Sequence, residues 1–211
     1  MSDRDYWERH AMKYDASVKW ALGRPLPRML ELASEGVRAR DRVLEVAAGT
    51  GLITMALAAS AHHVIATDYA NGMVAVLREK VSKAGLMNVV CERADLYALR
   101  FGSGEFDAVV AANVLHLVPD LEGALAALRK VLKPGGRLIV PTFCHDETAI
   151  SWFVSRALAL TGFPGKRRFT SRTLRQALEA AGLVVQRAET LPGLIPIGYC
   201  EGTFSAGGDR A

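Results

Sequence analysis

The first stretch able to do chemistry is Glu45-Val46-Ala47-Ala48-Gly49-Thr50-Gly51, where an apolar run enters a glycine-containing loop and an amphipathic segment follows. A strand-loop-helix unit of this kind sits at the carboxyl edge of a parallel sheet, where α/β folds bind ligands. Gly49 and Gly51 would let a ligand approach the backbone closely. On its own the loop also suits a plain turn of an α/β protein. The dinucleotide spacing GxGxxG fails in both registers: Thr54 stands where the third glycine falls counting from Gly49, and Ala47 where the first falls in the earlier register. A second apolar run ends at Asp68, 17 positions after Gly51. A carboxylate there can accept from both hydroxyls of a ribose, and it equally suits the N-cap of a helix beginning near Asn71. After a third run, Ala94-Asp95-Leu96 brings another acid to the same edge one strand further out, where an acceptor suits the exocyclic amine of adenine.

These residues need a scaffold that holds several loops at one edge. Short runs rich in Val, Ile and Leu at residues 42–47, 63–67, 89–92, 106–111 and 137–140 read as strands buried on both faces. Amphipathic segments at 52–60, 72–84 and 121–132 alternate with them, which predicts a parallel sheet covered by helices on both sides. Lys133-Pro134-Gly135-Gly136 is expected to stop the third of these helices and turn the chain. Beyond the fifth strand, 171–181 reads as a helix, and 183–189 with 197–204 as an antiparallel hairpin about Leu191-Pro192-Gly193. Two helical stretches, 4–14 and 27–35, precede the first strand, and a tail from Ser205 is expected to fray. The expectation is one domain over residues 1–211, with 1–35 as an N-terminal helical cover and 146–169 as a lid insertion.

Composition narrows the partners. Half of the 211 residues are apolar and 23% are charged, as in a globular domain with a substantial core. A net charge of +4, with the basic residues scattered except at Lys166-Arg167-Arg168, favours neither nucleic acid nor a membrane partner. Cys91, Cys144 and Cys200 are far apart and lack zinc spacing, so no metal site is expected and a reducing cytoplasm is. The first 17 residues lack the apolar core of a signal peptide, and no apolar run reaches the ~18 residues of a membrane span.

From about Tyr14 to Phe204 the chain resembles the class I S-adenosylmethionine-dependent methyltransferases, in particular their small-molecule branch of the type 11 kind. The resemblance implies a Rossmann-like seven-stranded sheet in the order 3-2-1-4-5-7-6 with strand 7 antiparallel, and S-adenosylmethionine as cofactor, released as S-adenosylhomocysteine. It implies that Glu45, Ala47, Gly49 and Gly51 surround the methionine part of the cofactor. Asp68 would take the ribose, Ala94, Asp95 and Leu96 the adenine, with Tyr69 and Met73 flanking its ring. Asn113, in the segment Ala112-Asn113-Val114-Leu115-His116, would stand beside the sulfonium, and Tyr14 would close over the cofactor carboxylate. Two positions depart from the family pattern: Ala47 replaces its first loop glycine and Ala70 a frequent serine, with Asn71 a candidate helix cap instead.

Methyl transfer from a sulfonium needs mainly an in-line approach at ~3–3.5 Å and a dry pocket; a base is needed only for an acceptor that must lose a proton. His116 is the candidate base and His145 a second, whereas His62 and His63 precede the second strand at the wrong edge. The acceptor is expected to be a small, lipophilic molecule. Ile150, Phe153, Val154, Ala157 and Leu158, with Trp152 nearby, would line the lid over it, so that Phe153→Ala would raise its Michaelis constant. A nucleic-acid amine methyltransferase would carry Asn/Asp-Pro-Pro-aromatic where Asn113-Val114-Leu115-His116 stands. A non-catalytic S-adenosylmethionine-binding protein and a nicotinamide-dependent oxidoreductase are the alternatives that share the fold principle.

Overall fold

Five parallel strands form the centre: β1 (Arg42–Val46), β2 (His63–Asp68), β3 (Val89–Arg93), β4 (Phe106–Ala111) and β5 (Leu132–Phe143). The structure is a computed structural model that describes residues 4–11, 23, 25–160 and 162–205. β7 (Ile197–Phe204) lies antiparallel between β5 and β6 (Leu183–Leu191), completing the order β3-β2-β1-β4-β5-β7-β6. Both the order and the antiparallel seventh strand are as expected.

Consecutive strand residues feed opposite cores, because side chains alternate across a sheet. Leu44, Val109 and Val140 join one cluster with Leu125 and Leu128 of α5 (Leu121–Val131) and Leu174 and Leu178 of α7 (Ser171–Ala180). Val43, Val110 and Ile139 join the other, with Met29 and Leu32 of α2 (Pro25–Glu35), Leu57 of α3 (Thr54–Ser60) and Leu77 of α4 (Asn71–Lys83). Residues 4–11 form α1, and Ala149–Leu160 form α6. Among the described residues no helix is long and apolar enough to cross a membrane.

Several boundaries differ from expectation. α3 begins at Thr54 rather than residue 52, after two further turn residues. α5 ends at Val131 and β5 starts at once. Phe106 pairs with Leu132 and Ala108 with Arg137, so Lys133-Pro134-Gly135-Gly136 bulges within the strand instead of forming a separate turn. β6 runs on to Leu191, which is buried and pairs with Ile197. α7 starts where a Thr170–Thr173 capping box takes up free backbone N–H groups.

The insertion is a helix, as expected, but its apolar stripe is not its packed face. Ser151 and Ser155 are the buried positions of α6, while Ile150 is 63% and Phe153 67% exposed. Ser155 packs inward because its hydroxyl lies 2.7 Å from His145 Nδ1 and donates to the Ser151 carbonyl, partners that no apolar side chain could replace. Phe153 therefore does not wall an acceptor pocket.

Candidate active site

β1 stops at Val46 because the chain there enters a left-handed turn, with Ala47 at φ 52°, Gly49 at 58° and Gly51 at 89°. The Ala48 N–H donates to the Thr67 carbonyl at 2.9 Å, tying this loop to β2. Gly51 is needed for a reason unrelated to a ligand: a Cβ there would lie 2.4 Å from Leu77 Cδ1 of α4. Ala47 bears a side chain in a conformation that costs an L-residue ~1–2 kcal/mol. Ala47→Gly relieves this strain but frees the unfolded chain, which offsets ~0.4–1 kcal/mol. The expected net result is a gain of up to ~1.6 kcal/mol, read as a higher urea midpoint at unchanged slope.

Asp68 ends β2 buried, with each carboxylate oxygen already on the backbone. Oδ2 accepts the Gly49 N–H and Oδ1 the Ala70 N–H, both at 2.9 Å. Burial pushes its pKa up, while the N–H donors of Ala70, Gly49 and Tyr69 pull it down. Three N–H donors do not exhaust the lone pairs of a carboxylate, so the acid can span the two loops and still accept from a ligand. Glu45 lies behind it, fully buried, with Thr54 Oγ1 donating to its Oε2 at 2.5 Å. Burial raises its pKa to about 8 against the pull of that hydroxyl. Thr54, which breaks the dinucleotide spacing, is thus the partner of a buried acid.

The N-terminus of α4 is not capped by Asn71, which is the first helical residue; Ala70 holds the cap position and has no side-chain acceptor. Glu8 of α1 does the capping from across the molecule, its carboxylate accepting the Asn71 and Gly72 N–H groups at 2.7 and 2.6 Å. Gly72 permits this approach, since a Cβ would stand 2.7 Å from Glu8 Oε2. α1 is thereby held at the sheet edge, where its Trp7 faces a cavity of about 280 Å³.

That cavity gathers most of the expected residues. Ala47, Gly49, Asp68, Tyr69 and Met73 come from the first two loops, Ala94, Asp95 and Leu96 from the third, and Asn113 from the fourth. Glu45 and Gly51 stand behind the wall, and Tyr14 lies outside the described residues. Asn113 adopts φ 50° and donates its N–H to the Pro141 carbonyl at 2.7 Å; its buried Oδ1 has no partner among the described residues. An orphaned acceptor of this sort fits a site that a polar ligand completes. Asp95 Oδ1 accepts the Tyr97 N–H at 3.0 Å, fixing a 3-10 turn over Leu96–Ala98.

Sequence reading missed Trp7, Tyr97, Leu117, Val118, Pro119 and Pro164 as wall residues. Tyr97 follows the Ala94-Asp95-Leu96 motif directly, and its hydroxyl donates to the Asp120 carbonyl at 2.8 Å, so its neighbourhood was the available signal. Trp7 and Pro164 carry no local signal, being brought in by distant segments.

His116 does not line the cavity. Its ring is buried beside Phe163 (centroids 6.0 Å, 15°), His145 (5.2 Å) and Phe143 (5.8 Å), and its carbonyl accepts the Lys166 and Arg167 N–H groups. Burial, aided by His145, lowers its pKa to about 3, so the ring is neutral. His145 is buried likewise, with a pKa lowered to about 4 chiefly by burial.

Comparison with known proteins agrees with this geometry. A family model described as a methyltransferase domain matches residues 44–140, the stretch from β1 through most of β5. A ubiquinone/menaquinone biosynthesis C-methyltransferase of Teredinibacter turnerae is 40% identical over 119 residues, covering 54% of this chain and 48% of that protein. Its Cellvibrio japonicus counterpart is 32% identical over 164 residues, covering 74% of this chain and 66% of that one. The chain spans about half the length of most such curated relatives. The crystal structure of a SAM-dependent methyltransferase from Aquifex aeolicus superposes with a TM-score of 0.71 at 21% identity, covering 93% of this chain and 98% of that one, which speaks for the fold. With the sheet order, the loop at the end of β1 and the acids after β2 and β3, these matches identify the chain as a member of the class I S-adenosylmethionine-dependent methyltransferases.

Proposed function

We propose that the cavity binds S-adenosylmethionine and that the protein transfers its methyl group to a carbon of a small, lipophilic, quinone-type acceptor. The observation that carries the cofactor assignment is Asp68, a buried acid that holds two loops together through backbone N–H groups and lines the cavity. The names of the Teredinibacter turnerae and Cellvibrio japonicus relatives support the acceptor class.

The cofactor, when bound, supplies a methyl group already activated on a sulfonium, leaving S-adenosylhomocysteine. The chain's own residues bind and orient. Asp68 accepts from the ribose hydroxyls, Asp95 and Leu96 meet the adenine between Tyr69 and Met73, and the backbone of Ala47 and Gly49 faces the methionine part. Asn113 Oδ1 offers its unused acceptor to the polar or positive end of the cofactor. Tyr14 is assigned to the cofactor carboxylate. Val114, Leu117, Val118 and Pro164 give an apolar wall that keeps water from the reacting atoms. His116, buried, neutral and outside the cavity lining, is not placed to take a proton from a hydroxylated acceptor in this arrangement. A reducing, cytoplasmic setting is part of this reading, and the three free cysteines support it.

Calorimetry with S-adenosylmethionine, S-adenosylhomocysteine and NAD tests the cofactor, and mass detection of a methyl increment on a panel of reduced naphthoquinones and benzoquinones tests the transfer. Binding of both sulfur compounds and not NAD, with methylated quinol formed, is expected. Tighter binding of NAD would overturn the reading, and cofactor binding without turnover on any acceptor would make the protein a silent binder.

A further inference from the structure

We propose that the outward face of α6, with the basic loop after it, docks on an anionic lipid bilayer surface. A helix normally turns its apolar side inward. α6 does the reverse, burying Ser151 and Ser155 while Ile150 is 63%, Phe153 67% and Leu160 90% exposed. Trp152 stands at the flank, with the Arg156 guanidinium 3.8 Å from its ring centroid. Four large apolar side chains presented by one helix form a patch of the kind that marks an interaction surface.

The net charge of +4 does not by itself favour a membrane, but the local charge beside this exposed apolar face does select the occupant. Residues 149–170 contain Arg156, Lys166, Arg167 and Arg168 and no Asp or Glu. Lys166 and Arg168 are exposed, while Arg167 ties the loop to the cavity rim by donating to the Val118 and Pro119 carbonyls. A second copy of this face would oppose cation to cation, whereas anionic headgroups complement it. The apolar side chains project from a convex helix, which suits insertion into the soft boundary of a bilayer better than seating in a protein groove. With 12 residues the helix is ~18 Å long, too short to span a hydrocarbon core of ~30 Å, so it lies in the interface plane. The segment that follows reaches the cavity wall at Pro164, which would set the cavity beside the bilayer. The docking goes beyond the methyl-transfer reading and does not rest on it.

The test sediments the full chain with phosphatidylcholine vesicles and with vesicles that also contain phosphatidylglycerol, at low and high salt. The wild type is expected to bind the anionic vesicles at least about tenfold more tightly than the neutral ones and to lose this margin at high salt. The double change Phe153→Ser with Leu160→Ser should weaken vesicle binding about tenfold or more. Arg156→Glu should weaken binding to the anionic vesicles alone. Both variants should keep wild-type affinity for S-adenosylhomocysteine, which reads the cavity separately. A wild type that binds anionic vesicles but not S-adenosylhomocysteine would support docking and sink the cofactor reading. Docking is overturned if the wild type ignores anionic vesicles or the double change leaves its binding intact. It is also overturned if sedimentation velocity finds a dimer that the double change dissociates, which would give the face to a second copy.

Discussion

Asp68→Ala should lower affinity for S-adenosylhomocysteine by roughly two powers of ten, the largest loss expected from a single substitution in the cavity. Each charge-assisted hydrogen bond to a buried group contributes ~1.5–3 kcal/mol, and a ribose offers two hydroxyls to this carboxylate. A second loss compounds the first. The same oxygens accept the Gly49 and Ala70 N–H groups, so the change also leaves two donors unpaired and unties the loop after β1 from the start of α4. Asp68→Asn separates the effects: its one carbonyl oxygen can serve one N–H, while its NH₂ is set against the other. Asn should therefore recover little of the affinity. Calorimetry well below the melting temperature reads the binding, and a thermal scan reads the loop. If Asp68→Ala bound S-adenosylhomocysteine like the wild type, the ribose would have to lie elsewhere.

The second large effect is a pH dependence of stability originating at Glu45. Its pKa in the folded chain is pushed up to about 8 from an ordinary 4.5, chiefly because burial penalises the charged form. The folded state therefore holds a proton that the unfolded state has released between these values. Stability from this residue is complete below about 4.5 and is lost as pH rises toward about 8. The loss is on the order of a few kcal/mol. Glu45→Gln keeps the shape and can accept from Thr54 Oγ1 without ever ionising. Denaturant midpoints across this range should fall with pH in the wild type and be flatter in Glu45→Gln. Parallel curves would mean that Glu45 is charged in the fold and stabilised by something other than Thr54.

What the sequence by itself determined are the properties that local spacing encodes. Short continuous runs of Val, Ile and Leu placed the central strands, because a strand covered on both sides needs apolar side chains on both faces, as Val43 and Leu44 show by joining opposite cores. The loops after β1, β2, β3 and β4 were legible because ligand-facing residues sit just past strand ends, and nine of the expected cofactor residues do meet in one cavity. The rest depended on partners far along the chain. The free N–H groups of α4 required a cap, but only the tertiary structure supplies it from Glu8, 63 residues away. Glu45 was legible as part of the loop, whereas its retreat behind Thr54 follows from a hydrogen bond formed in the buried core. His116 follows β4 as anticipated, yet its ring is enclosed by Phe143 and Phe163 from later segments. The clearest case is α6. Its apolar spacing established two unlike faces but not which one is covered. Ser155 packs inward because His145, ten residues earlier, presents a nitrogen to its hydroxyl, and satisfying those buried polar groups turns Phe153 to the outside.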